Sequence, residues 1–250
     1  MSTYASFQGR VYLGKRDLAG NPLEVRSPGN VAELKLSLKT DVLEHFESQT
    51  GQRSLDHRMV KQKSATVNLT IEEFTKENLA LALYGNHVTG AGGSVTDEPV
   101  GGPLPIVGDR YFLAHPKVAA LVLTDSAASP ATLTAGTHYT ADTDFGALQF
   151  LDITGFTPPF KASYTFGTAT EIGIFTQALP ERFLRLEGIN TAQGNAKVLV
   201  ELYRVAFDPL KEISFISDEY NKFELEGSLL ADTTKPFDAL LGQFGRIVQL

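Results

Sequence analysis

Glu33-Leu34-Lys35-Leu36-Ser37-Leu38-Lys39 and, further on, Ser64-Ala65-Thr66-Val67-Asn68-Leu69-Thr70-Ile71 decide the fold class. In the first stretch Leu34, Leu36 and Leu38 fall on one side of an extended chain, with Glu33, Lys35, Ser37 and Lys39 on the other. In the second, Ala65, Val67, Leu69 and Ile71 alternate in the same way with Ser64, Thr66, Asn68 and Thr70. A period of two marks a strand buried on one face only. Both stretches therefore predict strands of a sheet with one apolar and one polar face.

Between them, Thr40 to Lys63 is crowded with polar side chains. Glu44, His45, Glu47, Gln49, Arg53, Asp56, His57 and Arg58 surround Gly51, with Phe46 among them. Ordinary hairpin loops run to roughly 2–5 residues, so this segment predicts a long polar loop that projects from the body and is mobile in the free chain.

Working outward, Phe7 to Gly14 reads as a short strand, and Arg16 to Gly29, with Gly20-Asn21-Pro22 and Pro28-Gly29, as turns and loop. After Ile71, Thr75-Lys76-Glu77 reads as an N-cap and first helical turn and Asn78 to Tyr84 as its continuation, one short helix of about three turns, stopped by Gly85. Gly85 to Gly108 is rich in Gly and Pro and reads as a linker. Four short apolar runs follow at Val118 to Thr124, Leu133 to Tyr139, Ala147 to Leu151 and Lys161 to Phe166. Their even spacing predicts a small inserted β sandwich over 97–168, set in a main domain made of 1–96 and 169–250. The chain then returns to long strands at Arg182 to Gly188, Ala196 to Ala206 and Lys222 to Leu230, with Gly194-Asn195 in the first turn.

Composition narrows the function classes. The 250 residues are 42% hydrophobic and 10% aromatic, enough to build a core and too apolar for a disordered chain. Cysteine is absent, which removes disulfides, thiolate nucleophiles and cysteine metal sites. A net charge of −7 is the wrong sign for gripping nucleic acid. Met1 to Gly9 lacks the basic and apolar regions of a signal peptide, and no run reaches the roughly 20 apolar residues of a spanning helix, so no membrane span is expected.

No catalytic or metal residues emerge, and no cofactor is expected. The five histidines lack the spacing that places two ligands on one helical turn. Glu44, His45 and Glu47 with Asp56 and His57 could be drawn as a metal or acid/base cluster only if the segment folded back on itself. Asp142-Thr143-Asp144 with Gly146 lacks the closing glutamate of a calcium loop and reads as a β-turn.

The alternating strand at Leu34, the segment containing Glu47-Ser48-Gln49-Thr50-Gly51-Gln52-Arg53, and the run Glu72-Glu73-Phe74-Thr75-Lys76-Glu77-Asn78-Leu79-Ala80-Leu81-Ala82-Leu83 together resemble the tail tube (major tail) proteins of long-tailed bacteriophages. The insert, with Leu133-Thr134-Ala135-Gly136-Thr137-His138-Tyr139 and Phe145-Gly146-Ala147-Leu148, resembles small Ig-like domains that decorate phage virions. The resemblance implies a β-barrel or sandwich with one flanking short helix. It implies a non-enzymatic virion protein, made in the host cytoplasm, whose hexameric rings stack into a hollow tube around a tape-measure protein. Tail terminator and distal tail proteins would be its other partners, and DNA would pass through the lumen during ejection without specific binding.

On that reading Thr40 to Lys63 is the arm that reaches the neighbouring ring, carried by Glu44, His45, Phe46, Glu47, Gln49, Gly51, Arg53, Asp56, His57 and Arg58. If the leucine faces pack against the helix, then Glu33, Lys35, Ser37, Lys39, Gln62, Thr66, Asn68, Thr70, Arg185, Glu187, Lys197 and Glu201 face the lumen. The alternative is a carbohydrate- or receptor-binding module that uses Tyr111, Phe112, Tyr139 or Phe160 of the insert.

Overall fold

A computed structural model describes residues 4–236 and 242–250. Among these residues the chain is mainly β, with one α-helix and several antiparallel sheets. It opens with β1 (Phe7–Arg16), β2 (Pro22–Arg26), β3 (Val31–Phe46), β4 (Leu55–Ile71) and helix α1 (Lys76–Ala82). Next come β5 (His87–Gly90), β6 (Gly93–Val100), β7 (Arg110–Phe112), β8 (Val118–Thr124), β9 (Thr132–Leu133), β10 (Tyr139–Asp142), β11 (Ala147–Phe150), β12 (Phe160–Phe166) and β13 (Ala169–Ile172). It closes with β14 (Glu181–Asn190), β15 (Ala196–Phe207), β16 (Phe223–Leu229) and β17 (Gly245–Gln249).

Two compact units result, one from residues up to His87 and from Ile172 onward, the other from Val88–Glu171. The second unit begins and ends further out than the 97–168 read from sequence, since β5 and β13 pair with each other at its base. Its sheets β6-β12-β8-β9 and β10-β11-β7 share one apolar cluster that includes Leu123, Leu148, Phe150 and Phe160. The Gly/Pro-rich stretch after Gly85 is not a linker, because β5 and β6 fall in it. Likewise Leu133 to Tyr139 is not one strand. His138 donates its amide to Thr134 O and its ring nitrogen accepts from Thr134 N, closing a turn between β9 and β10.

The first unit is built on one eight-stranded sheet ordered β2-β1-β14-β15-β16-β4-β3, with β17 added along β15. One face carries the core. Val67, Leu69 and Ile71 of β4, Leu225 of β16, Val205 and Phe207 of β15, Leu184 of β14 and Val11 and Leu13 of β1 pack into one cluster with Leu81 and Ala82 of α1. The alternation read from sequence thus puts the β4 leucine face against the helix. In β3 the same face fades outward: Leu34 packs on the core, while Leu36 and Leu38 are exposed.

Helix α1 has seven residues, shorter than expected. Thr75 caps it by accepting from the Asn78 amide at 3.2 Å. Asn78, fully buried, ties the helix to the preceding strands by donating to Pro28 O and Glu73 O and accepting from Arg26. The left-handed step that ends the helix falls on Tyr84 (φ +51°), not on Gly85. Tyr84 is held there by its hydroxyl, which donates to Phe207 O. Gly85 serves a different need, since a Cβ there would lie 1.8 Å from Gly173 O.

Two further elements escape the sequence reading. Arg16 to Gly29 contains β2, and β17 adds a strand near the C-terminus. The end of β1 is fixed by a buried ion pair, Arg16 Nη2 to Asp232 Oδ2 at 2.7 Å. Burial pushes the Asp232 carboxyl up, but the Thr234 and Arg16 bonds outweigh it and hold the group below its ordinary range.

Candidate functional site

β4 pairs with β16 only over residues 66–71, whereas its pairing with β3 continues to Leu55. Beyond Lys39 and Ser64 the sheet is therefore a two-stranded ribbon, registered Thr40↔Lys63, Val42↔Val60, Glu44↔Arg58 and His45↔His57. The expected loop of 40–63 is corrected accordingly: only 47–54 is loop, and the rest is strand. The β-formers Thr40, Val42, Phe46, Met59 and Val60 sustain the ladder. Two bulges, opposite Asp41/Val42 and His45/Phe46, break the strict alternation that would reveal it in sequence. At roughly 3.3 Å per residue, residues 40–46 carry the ribbon about 23 Å past the neighbouring strands.

Four of the ribbon's charged residues are paired across its two strands. Glu44 lies 3.5 Å from Arg58, and Asp56, the extra residue of a bulge, bonds His45 Nδ1 at 2.6 Å. The His45 bond holds the Asp56 carboxyl below its usual range. His45, Asp56 and His57 are thus brought together, on an exposed stretch of the ribbon. Glu44 and Glu47 are engaged elsewhere.

Glu47 organises the tip. Its carboxylate accepts from the Thr50 hydroxyl, the Thr50 amide at 2.9 Å and the Gln49 amide at 2.8 Å, while its own amide donates to Ser54 O. Gly51 (φ +79°) and Arg53 (φ +51°) make the left-handed steps. Thr50, through its hydroxyl and then its amide, holds Glu47 down to about 2. A depressed carboxyl supports the folded tip above its unfolded value and loses that support as pH falls through the folded one. The Gln49 and Thr50 amide resonances are thus expected to stay fixed from pH 7 to about 4 and to move with a midpoint near 2. A midpoint at an ordinary glutamate value would refute the cap.

The ribbon is also more apolar than its charges indicate. The face that buries Leu34 continues outward through Leu38, Val42 and Phe46, paired with Val60 and Leu55. Leu38 is 78% exposed, Phe46 53% and Val60 50%. On the other face Leu43 and Met59 form an exposed pair. At the root, Leu38, Ala65, Leu229 and Phe244 line an open apolar notch of about 250 Å³.

The second assembled surface is the sheet face opposite the core. Glu33, Lys35, Ser37 and Lys39 stand across from Thr70, Asn68, Thr66 and Ser64, with Gln62 next on that side. Arg185 stands across from Glu201, and Glu187 and Lys197 follow on the same face. All twelve expected residues share it. Thr70 and Glu201 are nevertheless buried and cannot line an open surface. Thr70 is flanked by the longer Glu33 and Glu224, and Glu201 is covered by two guanidiniums. Glu224, Glu226 and Arg246 belong to this face too. The alternation Phe223-Glu224-Leu225-Glu226 carried the signal for the first two.

The cations of this face are largely neutralised. Glu201 accepts from Arg185 at 3.0 Å and Arg246 at 2.6 Å, and Arg185 also reaches Glu187 at 2.8 Å. Lys35 lies 2.8 Å from Glu33, and Lys211 pairs with Glu226. Glu201→Gln would leave Arg246 without a carboxylate partner and Arg185 with Glu187 alone. Glu201→Gln is therefore expected to create DNA binding at low salt that the parent lacks, steepening the log–log salt slope by about 1–2. An electrophoretic shift titrated with salt reads the difference.

Of the four insert aromatics named as binding candidates, Tyr139 and Phe160 are buried and Tyr111 packs on the core, donating its hydroxyl toward Ile106 O. Of these four Phe112 is the exposed one, at 71%, and Phe145 elsewhere in the insert is exposed as well. Among the described residues no three His, Cys, Asp or Glu side chains are grouped so as to hold a metal ion, and no helix is long and apolar enough to cross a membrane.

In comparison with known proteins, the model of a family described as "Protein of unknown function UCP028589" matches residues 4–248. No curated protein matches the chain.

Proposed function

The chain belongs to the UCP028589 family, and from that premise we propose that it is a non-enzymatic structural subunit, of the tail-tube type, that assembles with copies of itself into stacked rings. The observation that carries this reading is the bare β3–β4 ribbon. An isolated two-stranded hairpin is marginal in water, both of its edges offer unpaired backbone groups, and its apolar stripe has no cover among the described residues. A partner surface that pairs the edges and covers Leu38, Phe46 and Val60 removes all three costs at once. The ribbon is then the clamp between rings, and the inserted unit, of Ig-like type, decorates the outside.

The polar sheet face fits the wall of a channel. Its ion pairs leave few free cations, so a phosphate backbone slides past without being held. Hexameric rings around a tape-measure protein, terminator and distal partners at the tube ends, DNA passage during ejection and residence in a virion tail complete the reading. It rests on the likeness stated from the sequence together with these two surfaces.

Sedimentation velocity over a concentration series tests it. The full chain is expected to pass from monomer to a discrete ring-sized species and then to much larger assemblies. A single monomeric boundary at every concentration would refute self-assembly.

A further inference from the structure

A second surface of the first unit lacks its partner. Between α1, β1, β2 and the coil before β14 lies a groove of about 560 Å³ with Leu13, Ala80, Leu81 and Tyr84 in its lining. Two half-buried arginines, Arg26 and Arg182, also line it. Arg26 donates to the neutral Asn78 Oδ1 at 2.8 Å and Arg182 to the backbone Glu181 O at 2.9 Å. The groove's carboxylates are engaged elsewhere: Glu24 with Lys15 at 2.7 Å, Glu181 with Arg204 at 2.6 Å and Glu77 with Lys76 at 4.0 Å. Among the described residues neither guanidinium has a carboxylate within ion-pair distance. Burial lowers the proton affinity of both, and Arg182 is further opposed by the charge of Arg26. Glu77 acts on Arg26 and Glu24 on Arg182 only from beyond ion-pair distance, so two like charges partly stripped of water gain from an anion that joins them directly.

The matching anion lies elsewhere on the same chain. Residues 208–222, between β15 and β16, have no regular structure. Phe215 is 79% exposed, Ile216 95% and Tyr220 fully, and between them stand Asp218 and Glu219, neither of which forms an ion pair with a described residue. Three large apolar side chains beside two carboxylates without an ion pair complement a groove that combines apolar side chains with two guanidiniums lacking a carboxylate partner. A carboxylate also suits the planar, two-pronged donor geometry of arginine.

We propose that the groove beside α1 is a docking site for the Phe215–Tyr220 segment of a second copy of this chain, with Asp218 and Glu219 meeting Arg26 and Arg182. Groove and segment are different patches of the surface, so the contact is head-to-tail. Repeated by rotation, it closes a ring or runs on as a filament. The inference rests on the self-assembly reading and supplies a contact distinct from the arm.

Two measurements test it. A peptide spanning residues 211–222 is titrated onto the full-length protein by fluorescence anisotropy. Saturable binding is expected, weakened about tenfold or more by Arg26→Gln or Arg182→Gln, and by Asp218→Asn with Glu219→Asn in the peptide, with Arg182→Lys intermediate. No binding, or binding indifferent to these changes in variants whose circular dichroism is unaltered, overturns the proposal. Assembly of the same full-length variants is then followed by sedimentation. If the parent forms rings and the glutamine variants form them equally well, the groove contact falls and self-assembly stands. If the parent never assembles but the peptide binds through the arginines, the groove stands and the ring reading falls. If Glu219→Cys and Gln177→Cys, introduced together, crosslink only within one chain in a mixture of isotopically distinct copies, the segment sits in its own groove and the proposal is also overturned.

Discussion

Replacing residues 41–62 by an Asn-Gly turn is expected to leave a folded subunit that no longer assembles. Thr40 and Lys63 face each other in the ladder, so a two-residue turn of the hairpin type closes the shortened strands in register. No residue from 41 to 62 belongs to the core cluster, so thermal and urea unfolding are expected to change by about 1 kcal/mol or less. Assembly is expected to disappear across the whole concentration series, since the exposed apolar stripe and both free strand edges go together. Phe46→Ala combined with Leu38→Ala is the milder version. Truncating two contacts central to an interface raises the concentration needed for assembly by about two orders of magnitude or more. If the deleted chain assembles as the parent does, the ribbon is not the contact.

Phe207→Ala is expected to cost about 3–5 kcal/mol, a large share of the roughly 5–15 kcal/mol that holds a typical domain together. Phe207 is fully buried at the end of β15, and Leu81 and Ala82 of the helix belong to the same core cluster. Gly227, its partner across the β15–β16 ladder, leaves the space that the ring occupies: a Cβ there would sit 3.0 Å from the Phe207 ring. The residue's carbonyl also anchors Tyr84, so the ring supports the helix end as well as the sheet. Urea unfolding gives the value directly, with the midpoint falling and the slope unchanged. A loss below about 1 kcal/mol would mean that the core does not close over this ring.

What the sequence made legible was governed by local rules. Strict alternation gave β4 and the inner half of β3, a threonine cap located α1, and Gly194-Asn195 marked a turn in which both residues take positive φ. What stayed hidden depended on breaks in pattern or on distant partners. The ribbon looked like a loop because its bulges shift the apolar residues between faces and its ion pairs crowd it with charge. β2 lies among Gly and Pro, and β17 is five residues whose alternation is too short to read. Arg16 finds Asp232 from the far end of the chain, and Arg185 and Arg246 find Glu201 across two ladders. Such pairings carry no local signal. The charged positions of the polar face could be named from alternation, whereas their mutual neutralisation could not.

The central claim is that copies of this chain stack through the ribbon with the polar sheet face turned to a channel. Electron cryomicroscopy of the purified full-length protein, concentrated until the large species dominates, tests it most directly. The account predicts rings with an open centre lined by Glu33, Lys35, Asn68 and Glu187, and density from each β3–β4 ribbon lying against the next ring with Leu38, Phe46 and Val60 covered. Rings or tubes in which the ribbon stands free in solvent, or in which the core-side face lines the opening, would contradict it.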